Sequence, residues 1–343
     1  MADQPPGLDL DRLHAHLALA HPGLTAGPLS AQLIAGGKSN LTYTVSDGGS
    51  RWVLRRPPLG HVLATAHDMA REYRVISALA GTAVPVPATH LLCEDPEVLG
   101  APFYLMEEVG GTVYRTAEDT ADLGTDRARR LSAHLVDVLG ELHAVDPAEV
   151  GLAGFGRPEG YMTRQVERWH RQFEASRSRE IKGMEELYQR LRGSVPTAQR
   201  VAVVHGDYRL DNAIFSADDR VAAVLDWEMA TLGDPLADLG LMQVYWDIAR
   251  EVPENPVSSA VSAEAGFPAM AELVARYADR SGLDTTPLPW YVAFARYKLA
   301  IIAEGIHYRF TQGKTVGGGF SHIGAMVPPL VAAALESLLT EGS

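Results

Sequence analysis

Apolar residues in the first third of the chain follow first a helical spacing and then a spacing of two. Leu10, Leu13 and Leu17 recur at helical spacing within Leu8–Ala20, and Asp9 stands at the position of a helix N-cap. The pattern then changes to strands, with a hairpin turn at residues 47–49. The predicted elements are strands Leu41–Val45 and Arg51–Leu54, helix His67–Leu79, and strands Thr89–Cys93 and Phe103–Glu107.

After Gly111 the apolar spacing becomes mainly helical. It predicts helices at Ala128–Leu142, Tyr161–Ala175, Met184–Leu191, Ala269–Tyr277 and Trp290–Phe310. A strand-like island interrupts them at Val201–Val204, Ala213–Phe215 and Val221–Leu225. A β-rich first part and a helical second part predict an α+β bilobal fold, with one domain over residues 1–109 and a second over residues 110–343.

Composition narrows the class of protein. The chain of 343 residues has a formal net charge of −13 at pH 7, whereas nucleic-acid-binding proteins normally present a basic surface. The single cysteine, Cys93, excludes an intramolecular disulfide and a cysteine-rich zinc site. The N-terminus lacks the features of a signal peptide, and no apolar run reaches about 18 residues. We therefore predict a cytoplasmic protein that binds neither nucleic acid nor membrane; the sequence does not indicate an oligomeric state.

Two carboxylates and one amide stand at the edges of the predicted strand island. Asp207 follows the first strand, Asn212 lies five residues later, and Asp226 ends the third strand. Phosphoryl transfer requires oxygen ligands for Mg²⁺ and one carboxylate near the attacking hydroxyl, and these residues could provide both. A hydrolase or metal enzyme built on His205 and Asp207 is the alternative. It is disfavoured because the chain lacks a G-x-S-x-G elbow, an H-E-x-x-H motif and a thiol with a partner histidine.

The segment His205-Gly-Asp-Tyr-Arg-Leu-Asp-Asn212 resembles the catalytic loop of the aminoglycoside phosphotransferase and choline kinase superfamily, which shares the protein-kinase fold. It keeps the His, the Asp and the Asn spacing of the protein-kinase loop, and Asp226-Trp-Glu228 takes the place of D-F-G. Val224–Leu239 and residues 161–169 are similar to kinase-like domains that occur alone in bacteria or fused to acyl-CoA dehydrogenases in animals. The resemblance extends over most of the chain and implies a small-molecule kinase that uses ATP and Mg²⁺.

The resemblance also implies a role for each residue of this region. Asp207 would orient the acceptor hydroxyl and take its proton, while Asn212 and Asp226 would hold Mg²⁺. Asp238 would support the catalytic loop, and His205 would be mainly structural.

The first part of the chain supplies the residues expected to hold ATP phosphates. Residues 36–40 lie between two strands, where a kinase places its phosphate-covering hairpin, and the N–H groups of Ser39 and Asn40 are predicted to bind phosphate. The segment is not a Walker A loop, because position 32 is Gln and Leu41–Val45 has the pattern of a strand.

Arg55 stands where the superfamily carries a lysine that contacts the α- and β-phosphates. Arginine keeps the charge and can bind phosphate with two N–H groups. Strand alternation separates Arg55 from Arg56, and the match to V-x-K favours Arg55. Glu72 on the next helix is its predicted ion-pair partner. The replacement of lysine leaves a catalytically weak ATP-binding scaffold as an alternative function.

The segment Phe103–Val109 resembles the kinase hinge. Backbone groups of Glu107 and Val109 are therefore predicted to contact adenine.

The distribution of charge bears on the acceptor. Residues 157–200 contain ten Lys/Arg and six Asp/Glu, although the whole chain is acidic. Arg164 and Arg168 fall on one stripe of a predicted helix. They are either a solvated basic face or contacts to an anionic acceptor, such as a hydroxy acid or a hydroxyacyl-CoA. A cationic aminoglycoside would instead be expected to meet carboxylates and is ranked lower, with choline and homoserine as further alternatives.

Overall fold

The computed structural model describes residues 5–34, 40–59, 68–251, 260–313 and 322–339. The chain forms two compact units: residues 1–111 with 222–230, and residues 112–221 with 231–343. The first unit therefore includes a return segment, residues 222–230, that the predicted domain division does not contain. An antiparallel sheet in the first unit and a mainly helical second unit confirm the predicted α+β class.

The described residues up to Gly111 form three helices and one five-stranded sheet. The elements are α1 Leu10–Ala20, β1 Ser30–Leu33, β2 Leu41–Ser46, β3 Arg51–Arg56, α2 Met69–Leu79, β4 Thr89–Cys93, α3 Pro96–Leu99 and β5 Phe103–Glu107. Neighbouring strands are antiparallel in the order β1-β2-β3-β5-β4. The predicted strands and helices lie within a few residues of these bounds.

The turn between β2 and β3 fixes the register of the sheet. Asp47 accepts hydrogen bonds at Oδ1 from the N–H groups of Gly49 (2.9 Å) and Ser50 (2.7 Å). Gly48 has a φ of 89°, a left-handed conformation that glycine adopts at little cost. The resulting register pairs Thr42 with Arg55. Apolar residues of the hairpin and of α1 share one core, which includes Leu13, Leu17, Tyr43, Val45, Trp52 and Leu54.

The return segment packs on α2, and it also contains a hydrogen bond of its own. A short 3₁₀ helix, Trp227–Met229, packs on α2, and the buried Trp227 indole N–H donates to the Val224 carbonyl at 2.9 Å. Arg71 of α2 donates to the Ala230 carbonyl at 3.0 Å. These contacts fix the backbone on both sides of Asp226.

The chain after residue 111 is mainly helical. Its elements are α4 Ala117–Thr120, α5 Thr125–Ala144, α6 Tyr161–Ser176, α7 Met184–Gly193, β6 Ala202–Val204, β7 Ala213–Phe215, β8 Val221–Val224, β9 Thr231–Gly233, α8 Leu236–Glu251, α9 Met270–Ser281, α10 Leu288–Thr311 and α11 Val327–Ser337. The five predicted helices and three predicted strands are all present, whereas α4, α8, α11 and β9 are additional.

Helix α10 is the centre of the second unit and packs against α6, α8 and α11. It approaches α8 closely at Gly240, where an added Cβ would lie 2.8 Å from Tyr291. Among the described helices, none has the length and apolar character needed to cross a lipid bilayer.

Candidate active site

The predicted catalytic loop begins where β6 ends, and the first turn of α8 holds its backbone. Asp238 of α8 accepts hydrogen bonds from the N–H of His205 at Oδ2 (2.6 Å) and from the N–H of Gly206 at Oδ1 (2.8 Å). Gly206 has a φ of 83°, in the left-handed region that favours glycine, so this position suits Gly rather than a larger residue. One buried carboxylate therefore fixes two consecutive amides ahead of Asp207.

Asp238 is in turn held by a buried histidine of α5. His143 Nε2 lies 3.3 Å from Asp238 Oδ2, and His143 Nδ1 lies 2.7 Å from the Tyr277 hydroxyl. Burial alone would raise the pKa of Asp238. The hydrogen bonds from His143 and Gly206 and the charges of the neighbouring histidines outweigh burial and hold this pKa below its ordinary value. Asp238 is therefore an anion in the folded protein.

The Asp207 carboxylate accepts a hydrogen bond on each oxygen. The Tyr245 hydroxyl donates to Oδ1 at 2.9 Å, and Asn212 Nδ2 donates to Oδ2 at 3.1 Å. Asn212 Nδ2 also donates to the Asp207 carbonyl at 2.9 Å, so the spacing of five residues closes a compact loop. The N–H of Asp207 donates to His205 Nδ1 at 3.2 Å, which gives His205 a structural contact inside the loop. Asp207 thus has one fixed orientation.

Tyr245 is a functional candidate that the sequence patterns did not reveal. Burial and the nearby Asp207 charge raise the pKa of its hydroxyl, so it remains a protonated donor. The Arg209 guanidinium lies 4.6 Å from the centre of the Tyr245 ring and also pairs with Asp211. A signal was present, since Asp238 and Tyr245 are seven residues apart and share a face once α8 is recognised as a helix.

In the first unit, Arg55 bridges two carboxylates. Its Nη1 lies 3.4 Å from Glu72 Oε1, and its Nη2 donates to Asp226 Oδ1 at 3.1 Å. Arg56 turns the other way and donates to the carbonyls of Gly7 and Leu99. Burial would lower the pKa of Arg55, but the charges of Glu72 and its other neighbours outweigh burial and raise it. Arg55 is a permanent cation at this position.

Glu72 is 1% exposed and is poorly provided with hydrogen-bond donors. Within the described residues neither of its carboxylate oxygens accepts a hydrogen bond, and Arg55 Nε has no acceptor. Burial raises the pKa of Glu72 to about 7, although the adjacent Arg55 charge opposes this shift. Arg55 therefore keeps a buried N–H donor that a phosphate oxygen could satisfy.

Asp226 occupies a left-handed conformation, with φ 63° and ψ 61°. Such a conformation costs a non-glycine residue about 1–3 kcal/mol, which the contacts of the return segment offset. Two residues on, Glu228 Oε2 accepts a hydrogen bond from Asn40 Nδ2 at 3.1 Å. Asn40 is buried and immediately precedes β2, while Ser39 lies outside the described residues.

The donor chemistry of the two predicted metal ligands suits Mg²⁺. Asp226 offers a carboxylate, and Asn212 uses Nδ2 for its hydrogen bonds, which leaves Oδ1 as the atom that would meet a cation. No group of three or more His, Cys, Asp or Glu arranged for a metal occurs in the part of the chain that the structure describes.

The residues predicted to contact adenine lie at the end of β5, and those predicted to contact the acceptor lie on α6. Glu107 ends β5, and its N–H donates to the Ala88 carbonyl at 2.8 Å; Val109 follows β5 in an irregular segment. Arg164 and Arg168 are exposed on α6, whose opposite face is buried. The Arg164 guanidinium donates to the carbonyls of Arg157 and Glu159, in the loop before the helix.

Comparison with known proteins agrees with this architecture. Residues 30–302 match the phosphotransferase enzyme family, APH. The crystal structure of a candidate aminoglycoside phosphotransferase from Ralstonia eutropha JMP134 is 33% identical, with a TM-score of 0.84, and covers 97% of this chain and 98% of its own. A thermostable mutant of aminoglycoside phosphotransferase APH(4)-Ia, in complex with AMP-PNP and hygromycin B, shares the fold. Its TM-score is 0.62 at 15% identity, and the match covers 94% of this chain and 97% of that one.

A curated relative belongs to a longer protein. Acyl-CoA dehydrogenase family member 11 of Gallus gallus is 35% identical over 338 residues, which is 96% of this chain and 43% of the relative. The chain therefore spans about two-fifths of the length of this relative.

Proposed function

Because this chain belongs to the phosphotransferase enzyme family, which it matches over residues 30–302, we propose that it transfers the γ-phosphoryl group of ATP to a hydroxyl of a small acceptor, with Asp207 as the catalytic base. It is a small-molecule phosphotransferase by family, and the finer assignment rests chiefly on one observation. Both oxygens of the Asp207 carboxylate are held by donors, Tyr245 and Asn212, on a loop that Asp238 fixes.

The proposed chemistry at Asp207 is a proton transfer coupled to displacement. The acceptor hydroxyl oxygen forms a bond to the γ-phosphorus, the bond from that phosphorus to the β,γ-bridging oxygen breaks, and ADP leaves. The hydroxyl proton passes to the Asp207 carboxylate and then to solvent. Tyr245 and Asn212 keep the carboxylate in one orientation, which reduces the entropy lost on reaching the transition state.

Residues of the first unit are proposed to hold ATP. Arg55, placed by Glu72, would neutralise the α- and β-phosphates, and its unpaired buried Nε supports this role. Backbone groups of Glu107 and Val109 would contact adenine, and Ser39 and Asn40 would cover the phosphates. Asp226 and Asn212 would ligate Mg²⁺, which neutralises phosphate charge when bound.

We propose a hydroxy acid or a hydroxyacyl-CoA as the acceptor. The relative that carries a comparable segment is named as an acyl-CoA dehydrogenase, which connects this segment to acyl thioester chemistry. The basic residues on α6 support an acidic acceptor; Arg168 is the more available of the two predicted contacts, because Arg164 already bonds two backbone carbonyls.

Replacing the base tests the proposal. Asp207→Asn should lower kcat for ATP-dependent phosphorylation of a hydroxy acid or hydroxyacyl-CoA by about 10²- to 10⁴-fold, because it removes general-base catalysis. ATP binding, measured by titration of a fluorescent ATP analogue, should be unchanged. Asp122→Asn, the same change at an exposed aspartate of the second unit, is the control. Near-wild-type turnover of Asp207→Asn would remove Asp207 from this role, and ³¹P NMR of the product would identify the phosphorylated oxygen.

A further inference from the structure

Lys298 is a cation in the middle of α10, a helix whose other central residues are mostly apolar. Its side chain is partly buried and reaches the predicted catalytic loop, where Nζ donates to the Gly206 carbonyl at 3.2 Å. The same Nζ lies 5.7 Å from the centre of the Trp169 ring of α6, within the range of a cation–π contact. Lys298 therefore touches the residue before Asp207 on one side and the basic helix on the other.

The ammonium group of Lys298 is incompletely satisfied by the protein. It has three N–H donors, and within the described residues its hydrogen bond goes to one carbonyl, with no carboxylate forming an ion pair. Burial lowers the pKa of Lys298, and the charge of Arg168 lowers it further, while Asp207 and Asp238 oppose the shift. A partly desolvated ammonium group with one hydrogen bond keeps further N–H donors that a ligand oxygen could accept.

Arg168 makes this environment more positive. Its charge acts on Lys298 across the α6–α10 contact, and Arg168 also forms no ion pair with a described carboxylate. Lys298 thus contacts the loop that carries Asp207, and a second cation, exposed on α6, adds positive potential at its ammonium group. A positively charged group placed beside the Lys298 ammonium would be repelled by it, whereas a negatively polarised oxygen there would be attracted.

We propose that Lys298 is a specificity-determining residue that binds a carboxylate or thioester carbonyl oxygen of the acceptor while the acceptor hydroxyl lies at Asp207. The inference rests on the proposed phosphotransferase reaction and extends it, because it assigns the recognition of acidic or acyl acceptors to a lysine outside the catalytic loop. It also predicts that the enzyme discriminates against neutral alcohols of the same length.

The test compares acceptors that carry a carboxylate or a thioester carbonyl with acceptors that carry a hydroxyl in its place. The full-length protein is assayed for ADP release at saturating ATP with 3- and 4-hydroxybutyrate, their coenzyme A thioesters and the matching butanediols. Lys298→Gln keeps an N–H donor for the Gly206 carbonyl but removes the charge, and Lys298→Arg restores the charge. Lys182→Gln is the matched control, since Lys182 is an exposed lysine of the same unit.

We expect the wild type to prefer an acid or a thioester to its diol, and Lys298→Gln to reduce that ratio of kcat/KM about tenfold or more. The change should appear as a higher KM for the acceptor, with KM for ATP unchanged and partial recovery in Lys298→Arg. Loss confined to the free acids would identify a carboxylate, and loss confined to the thioesters would identify the acyl carbonyl.

A wild-type ratio in Lys298→Gln, or an equal loss for acids, thioesters and diols, would overturn the inference and leave Lys298 as a support of the loop. A wild-type enzyme that phosphorylates the diols as efficiently as the acids and thioesters would also overturn the inference. Binding of each acid, thioester and diol is also measured without ATP, as a shift in Tm. This measurement separates failure of the Lys298 inference from failure of the proposed phosphotransferase reaction. Lys298-dependent binding of an acid without any ADP release would contradict the phosphotransferase reaction alone.

Discussion

Two buried carboxyl groups, one in each unit, have the same solvent exposure, but the pKa of one is raised and the pKa of the other is lowered. Glu72 and Asp238 are each 1% exposed. Asp238 accepts hydrogen bonds from two backbone amides and lies beside His143, and its pKa is lowered. Glu72 has Arg55 at 3.4 Å and the Tyr104 hydroxyl nearby, but neither of its oxygens forms a well-aligned hydrogen bond with a described residue, and its pKa is raised to about 7. At equal exposure, the hydrogen-bond donors and charges around a carboxyl group therefore decide whether its pKa is raised or lowered.

The difference suits the two proposed roles. The catalytic loop needs a fixed backbone in every state of the enzyme, and a fully satisfied carboxylate provides it. The arginine proposed to bind ATP would exchange partners when phosphate binds, and a weakly held pair would allow that exchange. Three substitutions test this contrast, in order of decreasing expected effect.

Asp238→Asn should cause the largest loss of stability. An asparagine presents an N–H₂ group to one of the two backbone amides, which leaves a buried donor without an acceptor beside a buried histidine. We expect the free energy of unfolding to fall by about 3 kcal/mol, measured by urea denaturation followed by circular dichroism. Asp122→Asn, at an exposed site, should change it by less than about 0.5 kcal/mol. Equal effects of the two substitutions would contradict the role given to Asp238.

Glu72→Gln should remove a pH dependence of ATP binding. Glu72 must be ionised to hold Arg55, and it gains a proton as the pH falls through about 7. The KM for ATP of the wild type should therefore rise about tenfold between pH 8 and pH 6, because most Glu72 is then neutral. In Glu72→Gln the KM should be high at both pH values. Initial rates at saturating acceptor measure it.

Two comparisons isolate the contribution of Glu72. Ionisation of ATP itself is common to both proteins, so only the difference between their pH profiles is assigned to the residue. Glu94→Gln, at an exposed glutamate of the first unit, should keep the wild-type profile. Stability changes in the opposite sense: since the pKa of Glu72 is above its ordinary value, the free energy of unfolding should fall as the pH rises from about 4.5 to about 7. Parallel pH profiles in wild type and Glu72→Gln would refute this account.

Tyr277→Phe should have the smallest effect. It removes the hydroxyl that lies 2.7 Å from His143 Nδ1 and leaves that buried nitrogen without this partner. A loss of about 1 kcal/mol is expected in the same urea experiment, with kcat nearly unchanged because His143 still contacts Asp238. Tyr308→Phe, at a more exposed tyrosine, serves as the comparison. A loss as large as that of Asp238→Asn would mean that Tyr277, rather than the backbone amides, anchors this cluster.

The parts of the fold that sequence predicts are those with strong local patterns. The hairpin around Asp47 and the amphipathic helices follow from residue spacing, because one face of each meets the core. Helix α8 does not, since its apolar residues occur around most of its circumference. Residue spacing therefore does not predict Tyr245 as a site residue either, because its hydrogen bond to Asp207 depends on that helix.

The residues of the candidate site likewise fall into those that local sequence spacing predicts and those that depend on tertiary contacts. Asp207 and Asn212 are five residues apart and bond each other directly, so their spacing carries the signal. Lys298 reaches Gly206 from a helix that begins more than eighty residues later, and no local pattern encodes that contact. Conversely, the stripe of Arg164 and Arg168 was visible in sequence, but only the structure shows that Arg164 bonds to carbonyls of its own loop.

The return segment has a consequence for the order in which the protein can be assembled during translation. Residues 222–230 supply the Asp226 partner of Arg55, the Glu228 partner of Asn40 and the Ala230 carbonyl that Arg71 contacts. A nascent chain that ends at residue 111 lacks all three, although its five strands have already been synthesised. The ribosome must add more than a hundred further residues before the first unit can close, so its last contacts are long-range in sequence and slow to form.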